Sequence, residues 1–96
     1  MTSQEQNPNR ESAIEFPCRF PIKAMGRSAD GFEMTVVNLV RRHADLWVGD
    51  GQSVTTNDSR QGNYIAVTVV VEATSQDQLD AIYRDLTDCP DVLMAL

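Results

Sequence analysis

The chain has 96 residues, 42% of them apolar and 23% charged, with a formal net charge of −6; that is enough for one core and too apolar for wholesale disorder. Eight Lys and Arg against 14 Asp and Glu disfavour duplex nucleic acid and anionic membrane, which reward clustered positive charge. No apolar run reaches the roughly 20 residues of a membrane helix, and the opening MTSQEQNPNRES lacks the apolar core of a secretory signal. The expectation is a cytoplasmic chain whose two cysteines, Cys18 and Cys89, are reduced.

Residues 1–13 carry almost nothing to bury and read as a disordered tail, leaving residues 14–96 as a single domain. FPCRFPIKAMG then alternates: Phe16, Cys18, Phe20, Ile22 and Ala24 on one face, Pro17, Arg19, Pro21, Lys23 and Met25 on the other. Period two with one apolar side predicts a half-buried strand. Its two prolines cannot donate ladder bonds, so its first half is expected to be irregular or unpaired on one side. RSADG makes a turn, and Asp30 followed by Glu33 predicts a capping-box start for a helix. Phe32, Val36, Leu39, Val40 and His43 form its stripe, with Arg41, Arg42 and His43 near the negative end of the dipole.

Asp45 to Gly51 reads as a loop and Gln52 to Asn57 as a short strand. DSRQGN carries hairpin-turn chemistry. YIAVTVVVEA is the strongest strand signal, with Ile65, Val67, Val69 and Val71 facing the core. Ser75 and Gln78 are spaced as a capping box for a second helix, whose stripe is Leu79, Ile82, Tyr83 and Leu86. Pro90 prevents its continuation, and DVLMAL is a last short strand. The order βαββαβ with right-handed crossovers predicts an α+β, ferredoxin-like sandwich of strand order 4-1-3-2, with both helices on one face. Cys18 and Cys89 then lie at opposite ends of the sheet, too far apart for a disulfide.

Chemistry-bearing residues are sparse. His43 is the only histidine and has no second ligand or base in sequence, so it reads first as a structural helix-end residue. The cysteines lack CxxC spacing, and GDG at 49–51 is loop punctuation with no phosphate-binding motif around it. Asp77, Asp80 and Asp85 read as solvated helix positions. An RNA-recognition sheet would need stacking aromatics where Ala66, Thr68, Val70 and Glu72 follow Tyr64. A metal chaperone would need paired cysteines, and an acylphosphatase a glycine-rich phosphate loop, where MGRSADG stands. No catalytic residue, metal ligand or cofactor is therefore assigned.

Two surfaces remain as candidates. The turn at Gly26, Arg27 and Ser28 could receive a small carboxylate, such as an amino acid, on backbone N–H groups at a helix start, against the plain reading of a strand-to-helix turn. The open sheet face, with Lys23, Met25, Tyr64, Ala66, Thr68, Val70 and Glu72, could be solvated or covered by a second copy or another protein, with Lys23 and Glu72 pairing across the sheet.

Phe16-Pro17, Phe20, Lys23, Met25-Gly26, Arg42-His43-Ala44, Ser59, Gly62-Asn63-Tyr64, Ala73-Thr74, Tyr83, Met94 and Leu96 stand in an order that resembles the YbeD-like family of small bacterial proteins of unknown function. The resemblance spans residues 15–96. It implies a fold similar to ACT regulatory domains and a non-enzymatic regulatory or ligand-sensing role, linked in the family with lipoate metabolism. A pure protein-interaction adaptor is the alternative. The resemblance carries over no catalytic residue.

Overall fold

The computed structural model describes residues 14–49 and 51–96; the tail expected at residues 1–13 lies outside them. The elements run β1 (Cys18–Arg27), α1 (Phe32–Arg41), β2 (Val54–Asp58), β3 (Tyr64–Ala73), α2 (Gln76–Asp88) and β4 (Val92–Ala95). One antiparallel sheet has the order β2-β3-β1-β4, which is the predicted 4-1-3-2 read from its other edge. Both helices pack on one side. Phe32, Val36 and Val40 of α1 and Leu79, Ile82 and Leu86 of α2 join Ile22, Ala24, Val67, Val69, Val71 and Val92 in one core. Among the described residues no helix is long and apolar enough to cross a membrane.

β1 and β3 pair along their whole length, from Cys18 opposite Ala73 to Arg27 opposite Tyr64. β4 reaches only from Gly26 to Ala24, with Leu96 and Lys23 exchanging backbone hydrogen bonds of 2.8 and 3.1 Å just beyond. Lys23 thus aims its N–H towards β4, and so does every second residue before it. Pro21 has that parity, two residues beyond the Lys23–Leu96 pair, so its missing donor faces a side that carries no strand among the described residues. The prolines are tolerated because β4 is short.

The start of α1 differs from the expected capping box. Gly31 is the cap, in the left-handed region at φ 86°, and no side chain bonds the helix N-terminus. The Phe32 N–H is met by the Ala29 carbonyl at 3.2 Å, so the turn satisfies one donor of the helix start without a capping side chain. At α2 the expected cap forms. Ser75 Oγ accepts the Gln78 N–H at 3.1 Å, while the Gln78 side chain accepts the Thr74 N–H at 2.8 Å.

The segment read as a loop after α1 is partly laddered onto β3. Glu72 donates to the Asp45 carbonyl (3.0 Å), Trp47 to Val70 (2.8 Å), and Val70 to Ser53 (2.7 Å). Leu46 bridges Val71 and packs on the core, so alternation sends the next residue, Trp47, to the Val70 side of the sheet. β2 begins at Val54, two residues later than the sequence suggested, because Gln52 and Ser53 belong to this segment.

The helices are clasped at one end by polar bonds. His43, just past the end of α1, places Nε2 2.7 Å from Asp85 Oδ2, and Gln78 Nε2 donates to the His43 carbonyl at 2.9 Å. Arg42 approaches the same carboxylate at 3.7 Å. Asp85 is therefore a partner of His43, unlike the freely solvated residue its helical spacing suggested. Its carboxyl is held below the ordinary aspartate range, chiefly by the His43 hydrogen bond, with burial opposing; the charges of His43, Arg42 and Arg84 add to the lowering.

A carboxyl with a depressed folded-state pKa contributes stability above the unfolded value and loses it as pH falls through the folded one. Asp85→Asn should accordingly lower the Tm at neutral pH, and the gap to wild type should begin to narrow as the pH drops below about 4 and close only below the depressed folded-state value. Thermal melts across pH test this, and a gap that persists in acid would place the loss elsewhere.

A second expectation concerns Gly26, where the β1–β4 ladder shifts register. A Cβ there would lie 2.5 and 2.7 Å from ring carbons of Phe32 and press on the Asp91 carbonyl oxygen. A backbone oxygen cannot rotate away, so Gly26→Ala should cost about 1–3 kcal/mol in denaturant unfolding, as overpacking typically does. Unchanged stability would mean that β4 can shift freely.

Candidate functional site

The turn after β1 opens beside a cleft of about 280 Å³ lined by Arg27, Ala29, Asp30, Phe32, Thr35, Pro90, Asp91 and Leu93. Its place fits the expected binding turn, but its chemistry differs from a carboxylate cradle. Gly26 is buried against Phe32 and Asp91, and its lack of a side chain is a packing requirement. Ser28 spends its N–H on the Asn63 carbonyl at 2.9 Å, extending the β1–β3 ladder. The Arg27 guanidinium carbon stands 5.9 Å from the centre of the Tyr64 ring, a cation–π contact on the opposite side of the sheet. The cleft is lined by two carboxylates, Asp30 and Asp91, and by part of Arg27, beside the apolar Phe32 and Leu93.

The open sheet face is built by register. On the side away from the helices, Arg27 stands opposite Tyr64, Met25 opposite Ala66, Lys23 opposite Thr68, Pro21 opposite Val70 and Arg19 opposite Glu72. The short edge strand adds Met94 beside Met25, and the Leu96–Lys23 backbone pair puts Leu96 in the same layer. Tyr64 is 42%, Met94 51% and Leu96 62% exposed. Met25, Ala66 and Thr68 are half-buried, and Lys23 and Glu72 are exposed.

Two expectations for this face are corrected. Val70 is only 6% exposed, because the Asp45–Ser53 segment runs against it and brings Trp47 to its side. Lys23 and Glu72 do not pair. Glu72 stands opposite Arg19, four residues along β1, and no ion pair joins Lys23 to it among the described residues. Met94, Leu96 and Trp47 were not legible as members of the face. The alternation of VLMAL could have supplied the first two once its register against β1 was known.

His43 has its Nε2 engaged by Asp85, and among the described residues no hydroxyl or thiol is hydrogen-bonded to it. The pair lacks the nucleophile of a hydrolytic triad and acts as a clasp between helices. Cys18 and Cys89 are free and half-buried. Cys18 sits at the start of β1, and Cys89 precedes β4, which begins beside Gly26 near the other end of β1. Among the described residues no group of three or more His, Cys, Asp and Glu could hold a metal ion.

Comparison with known proteins is consistent on the kind of molecule. Residues 11–96 match the family described as protein of unknown function, DUF493. Curated relatives include a UPF0250 protein of Paraburkholderia phytofirmans, 51% identical over 90% of this chain and 94% of that protein. The UPF0250 protein NE1487 of Nitrosomonas europaea is 43% identical over 90% and 97%, and a Neisseria gonorrhoeae UPF0250 protein is 48% identical over 91% and 90%.

Among solved structures, protein HP0495 from H. pylori superposes with a TM-score of 0.67 at 15% identity, covering 95% of this chain and 96% of that one. The ACT domain from GTP pyrophosphokinase of Chlorobium tepidum gives 0.61 at 11% identity, covering 81% and 84%. At such identities the likeness is one of fold alone. Sequence and fold together identify this chain as a member of the DUF493 family of proteins of unknown function, built as an ACT-like sandwich.

Proposed function

We propose that this protein is a non-enzymatic regulatory module that acts by docking its open sheet face onto another protein. The observation that carries the reading is the half-apolar layer of Met25, Ala66, Met94, Leu96 and Tyr64 on the side that bears no helix among the described residues. Exposed apolar side chains gathered on one face of a small domain mark interaction surfaces more often than chance exposure does. The ACT-like build supports the regulatory half of the reading, since domains of that fold are regulatory elsewhere.

A photoreactive amino acid at Met94, on the open face, should yield discrete protein adducts in cells of the source bacterium. The same residue at Met34, which is 63% exposed on the helical side, should not. Equal labelling from both positions, or none from Met94, would remove the docking reading.

The cleft beside Phe32 favours a second reading, a small-ligand sensor. Two carboxylates with Arg27 beside Phe32 and Leu93 suit a small zwitterion with an apolar part, such as an amino acid, better than a bare carboxylate. Thermal melts with apolar amino acids should then show a saturable rise in Tm of several degrees, and lipoyl and octanoyl compounds, which lack an ammonium group, should not. That rise should vanish in Leu93→Arg, which fills the cleft. A flat response to every compound would leave the cleft as a surface feature.

A further inference from the structure

Within a chain of net charge −6, the sign of charge is unevenly placed. All three basic residues of β1, Arg19, Lys23 and Arg27, share one parity and stand exposed on the open face. Neither β1 nor β4 carries an acidic residue. Register puts two acids on this side, Glu72 and Asp45, together at the Arg19 end, and Asp58 of β2 borders it near Met25 and Tyr64. The helices and the turns beside them carry seven acids, Asp30, Glu33, Asp77, Asp80, Asp85, Asp88 and Asp91, against three arginines, Arg41, Arg42 and Arg84. Between the cations, and level with them on β4, the surface is apolar: Met25, Met94 and Leu96.

We infer that the open face receives an amphipathic helix of an acidic partner protein, with Met25, Met94 and Tyr64 taking its apolar ridge and Lys23 and Arg27, with Arg19, its carboxylates. This rests on the docking reading above and adds the chemistry of the partner. A helix suits the surface because a sheet face, unlike an edge, offers no backbone groups to an added strand. A helix laid there also completes the layer that a one-sided sheet lacks. The cations recur every four residues of strand, about 13 Å, which is roughly nine residues of α-helix. The partner helix therefore carries acidic residues about nine positions apart beside an apolar stripe.

A second copy fits less well. Face to face, it would set the two basic rows against each other. Face to helix, it would be charge-matched but would propagate head to tail without closing. Three cations with two acids at their end also make a poor phosphate track compared with a nucleic-acid groove.

The test uses the whole chain and three synthetic helical peptides that share one leucine stripe and differ only in flanking residues at the nine-residue spacing, Glu, Gln or Lys. Binding is read by anisotropy of the labelled peptide and by emission of Trp47, the only tryptophan. The Glu peptide should bind on the order of tenfold tighter than the Gln peptide, since each exposed ion pair contributes a few-fold at most. Added salt should erase the margin. Arg19→Glu/Lys23→Glu/Arg27→Glu should reverse the ranking towards the Lys peptide. The uncharged Arg19→Gln/Lys23→Gln/Arg27→Gln should level it, each variant first shown to melt as a folded protein.

Equal binding of all three peptides to wild type would overturn the acidic assignment and leave docking standing. No binding at all overturns the inference too, and Met94 adducts then decide separately whether docking survives. Tighter binding of oligouridine than of any peptide, or self-association abolished by the charge reversal, would replace the partner with RNA or with a second copy.

Discussion

Everything in this sandwich depends on the unbroken pairing of β1 with β3. Ten residues of each strand are in register, and because side chains alternate, that single alignment assigns every residue of both strands to one face or the other. A slip of β1 by one position would drive Lys23 and Arg27 into the core and lift Phe20 and Ile22 towards water. The cost would run to several kcal/mol, at about 1.5–3 for each large apolar side chain exposed. The same alignment that buries the core also sorts the cations of β1 onto the opposite side. The charge pattern of the open face is therefore a consequence of how the fold is specified.

The register meets its tightest constraint at Gly26. Here β4 begins to pair, the ladder shifts, and the Phe32 ring comes within reach of the backbone. Glycine at this point lets the start of α1 and the start of β4 press on the same spot from two directions. Tyr83 ties the other end of β4, its hydroxyl donating to the Leu96 carbonyl at 2.9 Å, and its burial raises the phenol pKa. A four-residue edge strand is thus anchored at both ends, one by close approach and one by a hydrogen bond. This holds Met94 in place beside Met25.

Elements with a strong local pattern were legible in the sequence. β3 reads as a strand over the same ten residues that form it, because its β-branched run allows little else. Ser75 and Gln78 announce α2 by a contact three residues long. Features that depend on distant partners were not legible. Asp30 looks like a cap, but the helix starts one residue later, with Gly31 as its cap in the left-handed region. Asp85 looks solvated until α1 brings His43 to it from 42 residues away. Trp47 sits in a stretch with no periodicity, and only its bonds to β3 reveal that it covers Val70's side of the sheet. The open face was half visible for the same reason: β1 and β3 gave their residues by alternation, whereas Met94 and Leu96 needed the register of β4.

The two faces of the sheet answer to different demands. On the helical side, aliphatic side chains are buried almost without remainder, and variation there is limited by packing. On the open side, Met25 and Met94 stand next to each other, and methionine is the apolar residue that adapts most readily to the shape of a neighbour. Arg27 lies on Tyr64 in a contact that is worth about 0.5–1 kcal/mol at exposed sites, little enough to be surrendered to a carboxylate from outside. The surface is thus apolar without being rigid, and charged without being internally neutralised. Both properties cost an isolated domain some solubility and stability, and both are what a surface that exchanges water for a partner requires.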